Sequence, residues 1–206
     1  MKKILIGTNN AGKLGEFKKF LSTISVEIIF PKDIGLKIYP PENASTYKEN
    51  SEIKAKYFAK KSGLPTISDD GGIEIDFLSG GPGIKSRRYF GKNGLEATDE
   101  EIIEKMLRIA KKMPDDKRGA RFVDIVSLAF PDGKVWSVYA EVKGIVPKKP
   151  LLKNLKGYPY RSFFYLPQIK KYYHEADLTE EEEKEYNHRY KAVNKLKPII
   201  IRELGL

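Results

Sequence analysis

The stretch LPTISDDGGIEIDF, residues 64–77, decides the fold. Its short apolar start, two aspartates, glycine pair and alternating apolar end predict a strand, a turn and a second strand. Adjacent residues of a strand point to opposite faces of a sheet, so only one of Asp69 and Asp70 can face a given metal ion or substrate. We predict that Asp70, which precedes the glycines, is that residue. The alternative is that both aspartates only shape the turn.

Composition limits the chemistry that the chain can perform. With 206 residues, 40% of them hydrophobic, the chain is long enough to bury a real core. The absence of cysteine excludes disulfides, zinc–thiolate sites and thiol nucleophiles, and with only two histidines a histidine-rich metal site is also excluded. Catalysis must then use carboxylates, lysines and a cation that prefers oxygen ligands. The net charge of +10 favours anionic partners, either nucleic acid or a phosphorylated small molecule.

No apolar segment is long enough for a membrane span, and the first residues have too short an apolar core for a signal peptide. We therefore expect a cytoplasmic protein that has no membrane partner.

The N-terminal region predicts an anion-binding loop. An apolar strand at residues 3–7 is followed by TNNAGK, residues 8–13, and then by a helix. The first amides of a helix are unpaired and its dipole favours negative charge, so this turn can hold a phosphate, with Lys13 as an added cation. The stretch does not match a Walker loop, because Leu14 follows the lysine. The alternative is an ordinary strand–turn–helix connection.

The remaining pattern predicts an α/β domain. Further strands are predicted at residues 26–30, 121–130 and 134–146, the last two joined by a turn at residues 131–133. Helices are predicted from residue 45 or 46 to about 62, from 98 or 99 to about 113, after a capping box at Thr179, and over 186–204 with a break near Pro198. The loop at residues 80–91 is either a flexible connection or a binding loop, and the loop at residues 147–167 either stacks a base or anchors itself to the core.

Six pieces carry a resemblance to a known family. They are TNNAGKLGEF at 8–17, ENSEIKAK at 49–56, SDDGGIEID at 68–76, GGPGIKSRRYFG at 80–91, RFVDIVSLAFPDG at 121–133 and HR at 188–189. In this order and spacing, along nearly the whole chain, they resemble the inosine triphosphate pyrophosphatase family, whose members cleave non-standard purine nucleoside triphosphates. The resemblance implies a single domain over residues 1–206, with a long curved mixed sheet flanked by helices and two lobes around a central cleft. It also implies a homodimer.

The resemblance further implies hydrolysis of a nucleoside triphosphate between the α and β phosphates, with Mg²⁺, to a monophosphate and pyrophosphate. Asp70 and Lys13 resemble the catalytic residues, and Glu42 and Asp70 the metal ligands. Residues that resemble the family's substrate-binding positions are Thr8, Asn9, Asn10, Ala11, Gly12, Lys13, Lys54, Gly71, Tyr160, Arg161, Glu183, His188 and Arg189.

The chain departs from the family's pattern mainly at the residues expected to contact the base. Arg161, in GYPYRSFF, stands where the family has aspartate, Glu183 where it has lysine, and Asn187 and Gly71 where it has serine. Arginine offers only donors where aspartate offers acceptors, so we predict that hydrolysis is kept and the preferred base is changed. The alternatives are a shifted alignment, or an ion pair between Arg161 and Glu183 that restores a similar pocket.

Two other functions compete with the enzyme. Gly71 and the altered base-contacting residues are compatible with a nucleotide-binding regulator that has lost turnover. A pI of about 9.4 is compatible with a nucleic-acid-binding module, which we consider less favoured.

Overall fold

The computed structural model describes residues 1–37, 40–41, 43–93, 95–151, 157–174 and 177–206. Within these residues the strands are β1 (Lys2–Ile6), β2 (Val26–Ile29), β3 (Thr66–Ile75), β4 (Gly119–Ala129), β5 (Val135–Ile145), β6 (Tyr165–Leu166) and β7 (Lys171–Tyr172). The helices are α1 (Ala11–Leu21), α2 (Tyr47–Ser62), α3 (Asp99–Lys112), α4 (Glu180–Tyr186) and α5 (His188–Leu204), together with short 3₁₀ turns.

The strands form one mixed sheet in the order β2-β1-β3-β4-β5-β6-β7. Strand β1 is parallel to both β2 and β3, whereas β6 pairs antiparallel with β5 on one side and with β7 on the other. This arrangement confirms the predicted α/β class with a mixed sheet and flanking helices. The hairpin between β4 and β5 is also confirmed, with Gly133 at φ +94° in its turn.

The predicted turn at SDDGG is wrong. Strand β3 runs without a break from Thr66 to Ile75, through both aspartates and both glycines. Neither Gly71 nor Gly72 has the positive φ that glycine supplies to many turns. Near its first residue the strand is held by a hydrogen bond from Gly7 N to Ile67 O at 2.7 Å. Near its end the apolar residues Ile73 and Ile75 are buried. Pairing and burial on both sides of the glycines therefore keep the segment extended.

The chain divides into two compact units. The first unit comprises residues 1–70, 124–140 and 188–206, and the second comprises residues 71–123 and 141–187. In the first unit, α1 and α5 pack on β1, β3 and β4 around a core that includes Ile4, Ile6, Phe17, Ile67, Val126, Leu196 and Ile200. In the second unit, α3 packs in a core that includes Ile73, Ile102, Met106, Phe122, Phe163, Phe164 and Tyr173.

The predicted break at Pro198 is also wrong, because α5 continues through it to Leu204. Proline inside a helix costs about 3 kcal/mol, since its ring removes one hydrogen bond and crowds the preceding turn. Leu196 and Ile200 are completely buried on either side of it. We infer that their packing offsets this cost and keeps the helix continuous.

In the part of the chain that the structure describes, no helix combines the length and the apolar character needed to cross a membrane.

Candidate active site

Strand β3 separates the two aspartates of SDDGG. Side chains alternate along a strand, so Asp69 shares a face with Ile67, which packs in the core with α1 and α5. Asp70 shares the other face with Ser68 and contacts α2, because Asn50 Nδ2 donates a hydrogen bond to Asp70 Oδ2 at 3.0 Å. The two carboxylates therefore have different surroundings although they are adjacent in sequence.

The loop between β1 and α1 lies tightly against β3. Ser68 Oγ donates to Gly7 O at 3.1 Å. A Cβ atom on Gly7 would stand only 2.4 Å from Ser68 Oγ and 2.7 Å from the ring of Phe58. Glycine is required here because no side chain fits between the loop and the strand.

Asn10 caps α1, which corrects one sequence expectation. Its Oδ1 accepts hydrogen bonds from Gly12 N at 3.0 Å and from Lys13 N at 3.3 Å. Those two first-turn amides are therefore paired, not unpaired as predicted. Of the predicted phosphate loop, Thr8 Oγ1 accepts from Asn10 N, and the side chains of Asn9 and Ala11 are exposed.

Lys13 belongs to a buried charge cluster. Its Nζ lies 2.8 Å from Asp69 Oδ2, and the lysine side chain is 18% exposed whereas that of Asp69 is fully buried. Arg189 donates from Nη2 to the same Asp69 oxygen at 3.0 Å and from Nη1 to Glu16. We refer to Lys13, Glu16, Asp69, Asp124 and Arg189 as the charge cluster.

The charges of this cluster control the ionisation of its members. Burial alone would raise the pKa of Asp69, but Lys13, Arg189 and Lys54 together hold it below its ordinary value. Burial would likewise lower the pKa of Lys13, yet the charge of Asp69 raises it. Asp69 is therefore an anion and Lys13 a cation at neutral pH. The charge of Lys54, a second buried lysine, thus also acts on Asp69.

On the other side of β3, helix α2 supplies the surroundings of Asp70. Lys54 is only 8% exposed, although helical periodicity alone would place it on a solvated face. Asn50 is held by a hydrogen bond from Ala44 N to its Oδ1 at 3.0 Å, so its amide is oriented toward Asp70. Glu42, the other predicted metal ligand, lies outside the described residues.

A chain of hydroxyl groups fixes α2 on the sheet. Ser51 Oγ lies 3.1 Å from Ser68 O and 2.8 Å from Ser127 Oγ. Ser127 in turn contacts Ser137 Oγ at 2.8 Å, and Ser137 donates to Glu52 at 2.8 Å. These bonds join one helix to three strands, which fixes the helical turn that carries Asn50 and Lys54.

The predicted base-contacting residues fall in both units. His188 and Arg189 begin α5 in the first unit and are both buried, and Arg189 is part of the charge cluster. In the second unit, the guanidinium carbon of Arg161 lies 4.1 Å from the ring centre of Tyr158 and 4.9 Å from that of Tyr173. Arg161 is thus held between two aromatic rings.

Tyr160 is anchored to the loop at residues 80–91. Its hydroxyl donates to Ser86 O at 3.0 Å, and burial raises the pKa of the phenol. Arg87 of the same loop forms an ion pair with Asp99, whose other oxygen accepts from Gly157 N at 2.7 Å. The loop is therefore tied to both the start of α3 and the start of GYPYRSFF. Glu183 lies in α4, and Gly71 in β3 directly after Asp70.

Sequence reasoning missed three members of the charge cluster. The sequence pattern favours Asp70 over its neighbour Asp69, does not single out Glu16, and places Asp124 within an apolar strand. The signals were present: Glu16 follows Lys13 at helical spacing, and Asp124 is the one acid within the apolar run FVDIVSLAF. An acid in a buried strand needs a partner or a proton.

A sequence profile of the Ham1 family matches residues 4–199. The chain belongs to the Ham1 family. A dITP/XTP pyrophosphatase of Thermus thermophilus is 36% identical over 194 residues, which cover 94% of this chain and 89% of that protein. This membership confirms the resemblance drawn from the sequence motifs.

Solved structures of Ham1 proteins share the fold. The Ham1 protein of Coxiella burnetii matches with a TM-score of 0.81 at 30% identity, covering 98% of this chain and 100% of that one. The Staphylococcus aureus Ham1 protein matches with a TM-score of 0.77 at 32% identity, with the same coverage.

Proposed function

We propose that this Ham1 protein hydrolyses a nucleoside triphosphate to the monophosphate and pyrophosphate. One observation carries the proposal: β3 presents Asp69 to Lys13 on one face and Asp70 to Asn50 of α2 on the other, and the charge of the buried Lys54, also on α2, helps to lower the pKa of Asp69. Two lysines are thus held next to a pair of carboxylates at one place in the first unit. The relatives named dITP/XTP pyrophosphatase support the same reaction class.

The proposed roles follow from the chemistry of phosphoryl transfer, in which positioning and charge neutralisation do most of the work. Lys13 and Lys54 bind the phosphate oxygens and stabilise the charge that develops on the leaving pyrophosphate. Asp70 positions the attacking water and accepts its proton. Asn50 keeps the Asp70 carboxylate in one orientation through its hydrogen bond.

A divalent cation, Mg²⁺ in our proposal, fits this donor set. Among the described residues no cluster of three or more acids or histidines could hold a metal ion by itself. Mg²⁺ is commonly bound by one or two carboxylates together with substrate phosphates and water, which is the set that Asp70, Glu42 and a triphosphate would supply. When bound, the cation would neutralise phosphate charge and make the phosphorus more electrophilic.

The preferred base is proposed to differ from that of ITP- and XTP-specific enzymes. Arg161 carries only hydrogen-bond donors where the family pattern has an acceptor, and its guanidinium is fixed between Tyr158 and Tyr173. A fixed donor favours bases that present acceptors at the matching edge. We also propose that the protein is a cytoplasmic homodimer, as the family resemblance implies.

A panel of NTPs and dNTPs, assayed for pyrophosphate release with Mg²⁺ and again with excess EDTA, tests the proposal. We expect Mg²⁺-dependent release, with the best substrate other than ITP or XTP. Arg161→Asp should shift the ranking of bases, whereas Arg108→Asp, a control at an exposed surface pair, should not. A strong preference for ITP or XTP would contradict the altered base preference, and absence of release from every nucleotide would contradict the activity itself.

A further inference from the structure

Asp124 is the unexplained member of the charge cluster. It lies on β4, is completely buried, and faces Asp69 from β3, Arg189 from α5 and Lys13 from α1. Glu16, also from α1, pairs with Arg189. Without Asp124, Lys13 and Arg189 balance the charges of Glu16 and Asp69, and Lys54 of α2, which also acts on Asp69, is matched in charge by Asp70 beside the same helix. An ionised Asp124 would add an unbalanced buried charge, which is costly in the protein interior.

The hydrogen bonds also indicate an excess, here of acceptor oxygens over donors. Lys13 and Arg189 direct their donors to a single oxygen of Asp69, Oδ2, at distances between 2.8 and 3.2 Å. Among the described residues, no donor hydrogen-bonds to Asp69 Oδ1 or to either oxygen of Asp124. Arg189 Nε comes only within 3.5 Å of Asp124 Oδ2. Three oxygens of these two neighbouring buried carboxyl groups therefore have no donor. One proton shared by the two groups would provide a donor.

We propose that Asp124 is a neutral carboxylic acid that donates its proton to Asp69 and so acts as a positioning residue for Lys13. The acid supplies the missing hydrogen and leaves the cluster electrically balanced. Its ionisation is also disfavoured independently, since burial raises the pKa of Asp124 well above its ordinary value. The charge of Asp69 raises it further, and together these effects outweigh the opposing charges of Arg189 and Lys13.

The consequence for Lys13 rests on the proposed function, in which this lysine binds phosphate. A neutral Asp124 fixes the Asp69 carboxylate without adding a second negative charge behind Lys13. If Asp124 were ionised, the extra charge would hold the ammonium group in the interior and weaken its attraction to phosphate. The proton on Asp124 therefore keeps Lys13 both fixed in place and available to the substrate.

Two substitutions distinguish the effect of the Asp124 proton from the effect of a negative charge at this position. Asp124→Asn keeps a donor of the same shape without a charge, and Asp124→Leu removes the donor at similar volume. We expect Asp124→Asn to match wild-type stability near pH 4, to be at least as stable as wild type at pH 7, and to keep a wild-type KM for the Mg²⁺–nucleotide. Asp124→Leu should be less stable than Asp124→Asn and raise KM about tenfold or more, because Asp69 loses its hydrogen bond and Lys13 its fixed anchor. Asp116→Asn, at an exposed position, is the control.

The pH dependence of unfolding gives a second readout that needs no substrate. The pKa of Asp124 is raised in the folded state. At pH values above its unfolded-state pKa of about 3.9, folding therefore takes up a proton. The wild-type unfolding constant should therefore rise relative to that of Asp124→Asn, by up to about tenfold per pH unit, until the folded pKa is reached. Chemical denaturation of both proteins between pH 4 and 8 measures this difference.

Parallel pH profiles, or an Asp124→Asn variant as unstable at pH 7 as Asp124→Leu, would overturn the neutral acid. A wild-type KM in Asp124→Leu would overturn the positioning role. If no nucleotide is hydrolysed, the proposed function fails, yet the denaturation profiles still decide the protonation state of Asp124.

Discussion

Asp69 and Asp70 are separated by one peptide bond and have opposite surroundings. Asp69 is buried among cations and serves as the anchor of Lys13, whereas Asp70 receives a hydrogen bond from Asn50 on the other face of β3. A carboxylate already neutralised by Lys13 and Arg189 is a poor proton acceptor, because those charges keep its pKa low. Asp70 is therefore the better candidate for activating water.

The first prediction concerns Asp70. Asp70→Asn should fold normally and lower kcat by about 10²–10⁴, the usual contribution of a positioned acid–base group. Pyrophosphate release under saturating nucleotide and Mg²⁺ measures this, with Asp132→Asn in the exposed β4–β5 turn as the control. A variant with near-normal kcat would remove Asp70 from the mechanism.

The second prediction concerns Lys13. Lys13→Met should abolish most turnover and, at pH 7, destabilise the fold by about 1–3 kcal/mol, because buried Asp69 loses one of its cations but keeps Arg189. Asp69 has a lowered pKa in the folded state. Its stabilising contribution is therefore present above the unfolded-state pKa of about 3.9 and is lost as the pH falls below that pKa.

The cost of Lys13→Met should therefore be smaller at pH 3 than at pH 7. Thermal unfolding of Lys13→Met and of Lys18→Met, an exposed control on the same helix, tests the sign. An equal cost at both pH values would show that the ion pair contributes nothing to stability.

At the scale of single residues, the sequence predicts which side chains are chemically suited to the site better than it predicts which residues they contact. The alternation rule correctly predicts that the two aspartates face apart. It does not show which one meets Lys13, because that depends on α1 and α5 packing on one face of the sheet and α2 on the other. Helical periodicity alone would likewise place the buried Lys54 on a solvated face, since periodicity within α2 does not reveal what the helix packs against.

At the scale of elements, the β1–α1 loop lies in close contact with β3 in the first unit. Gly7→Ala should destabilise the protein by about 1–3 kcal/mol, because the added methyl group would overlap Ser68 and Phe58. Gly15→Ala is the matched control. It lies inside α1 with open space around it and should stabilise by about 0.5–1 kcal/mol through helix propensity.

Chemical denaturation with a shared m-value compares the two variants. Equal effects of the two substitutions would contradict the close contact. A lower kcat in Gly7→Ala but not in Gly15→Ala would further show that the loop position matters for turnover.

Element boundaries follow local signals where a cap or turn fixes them. Thr46 caps α2 and Gly63 ends it in the left-handed conformation, in agreement with the predicted helix from residue 45 or 46 to about 62. Pro198 and the glycine pair of β3 misled the prediction because their local tendency to interrupt structure is overridden by buried neighbours that pack on either side.

At the scale of the whole molecule, a net charge of +10 suits nucleotides and nucleic acids equally. Ligand-induced stability separates the candidate functions. A Mg²⁺–nucleotide at about 100 times its Kd should stabilise the fold by about 2.7 kcal/mol, and about 0.2 M salt should not remove the effect.

The competing functions predict other outcomes in the same experiment. A nucleic-acid-binding module would be stabilised by DNA or RNA at low salt and lose that effect steeply as salt increases. A regulator without turnover would be stabilised by the nucleotide while leaving it intact. Thermal shifts with each ligand at two salt concentrations, together with product analysis, distinguish the three.

We propose above all that this protein cleaves a triphosphate between the α and β phosphates. Phosphorus-31 NMR of a preferred nucleotide incubated with the wild-type protein and Mg²⁺ tests it most directly. We predict that pyrophosphate and nucleoside monophosphate appear together in equal amounts, and that Asp70→Asn slows both. Accumulation of a nucleoside diphosphate with inorganic phosphate, or no product at all, would contradict it.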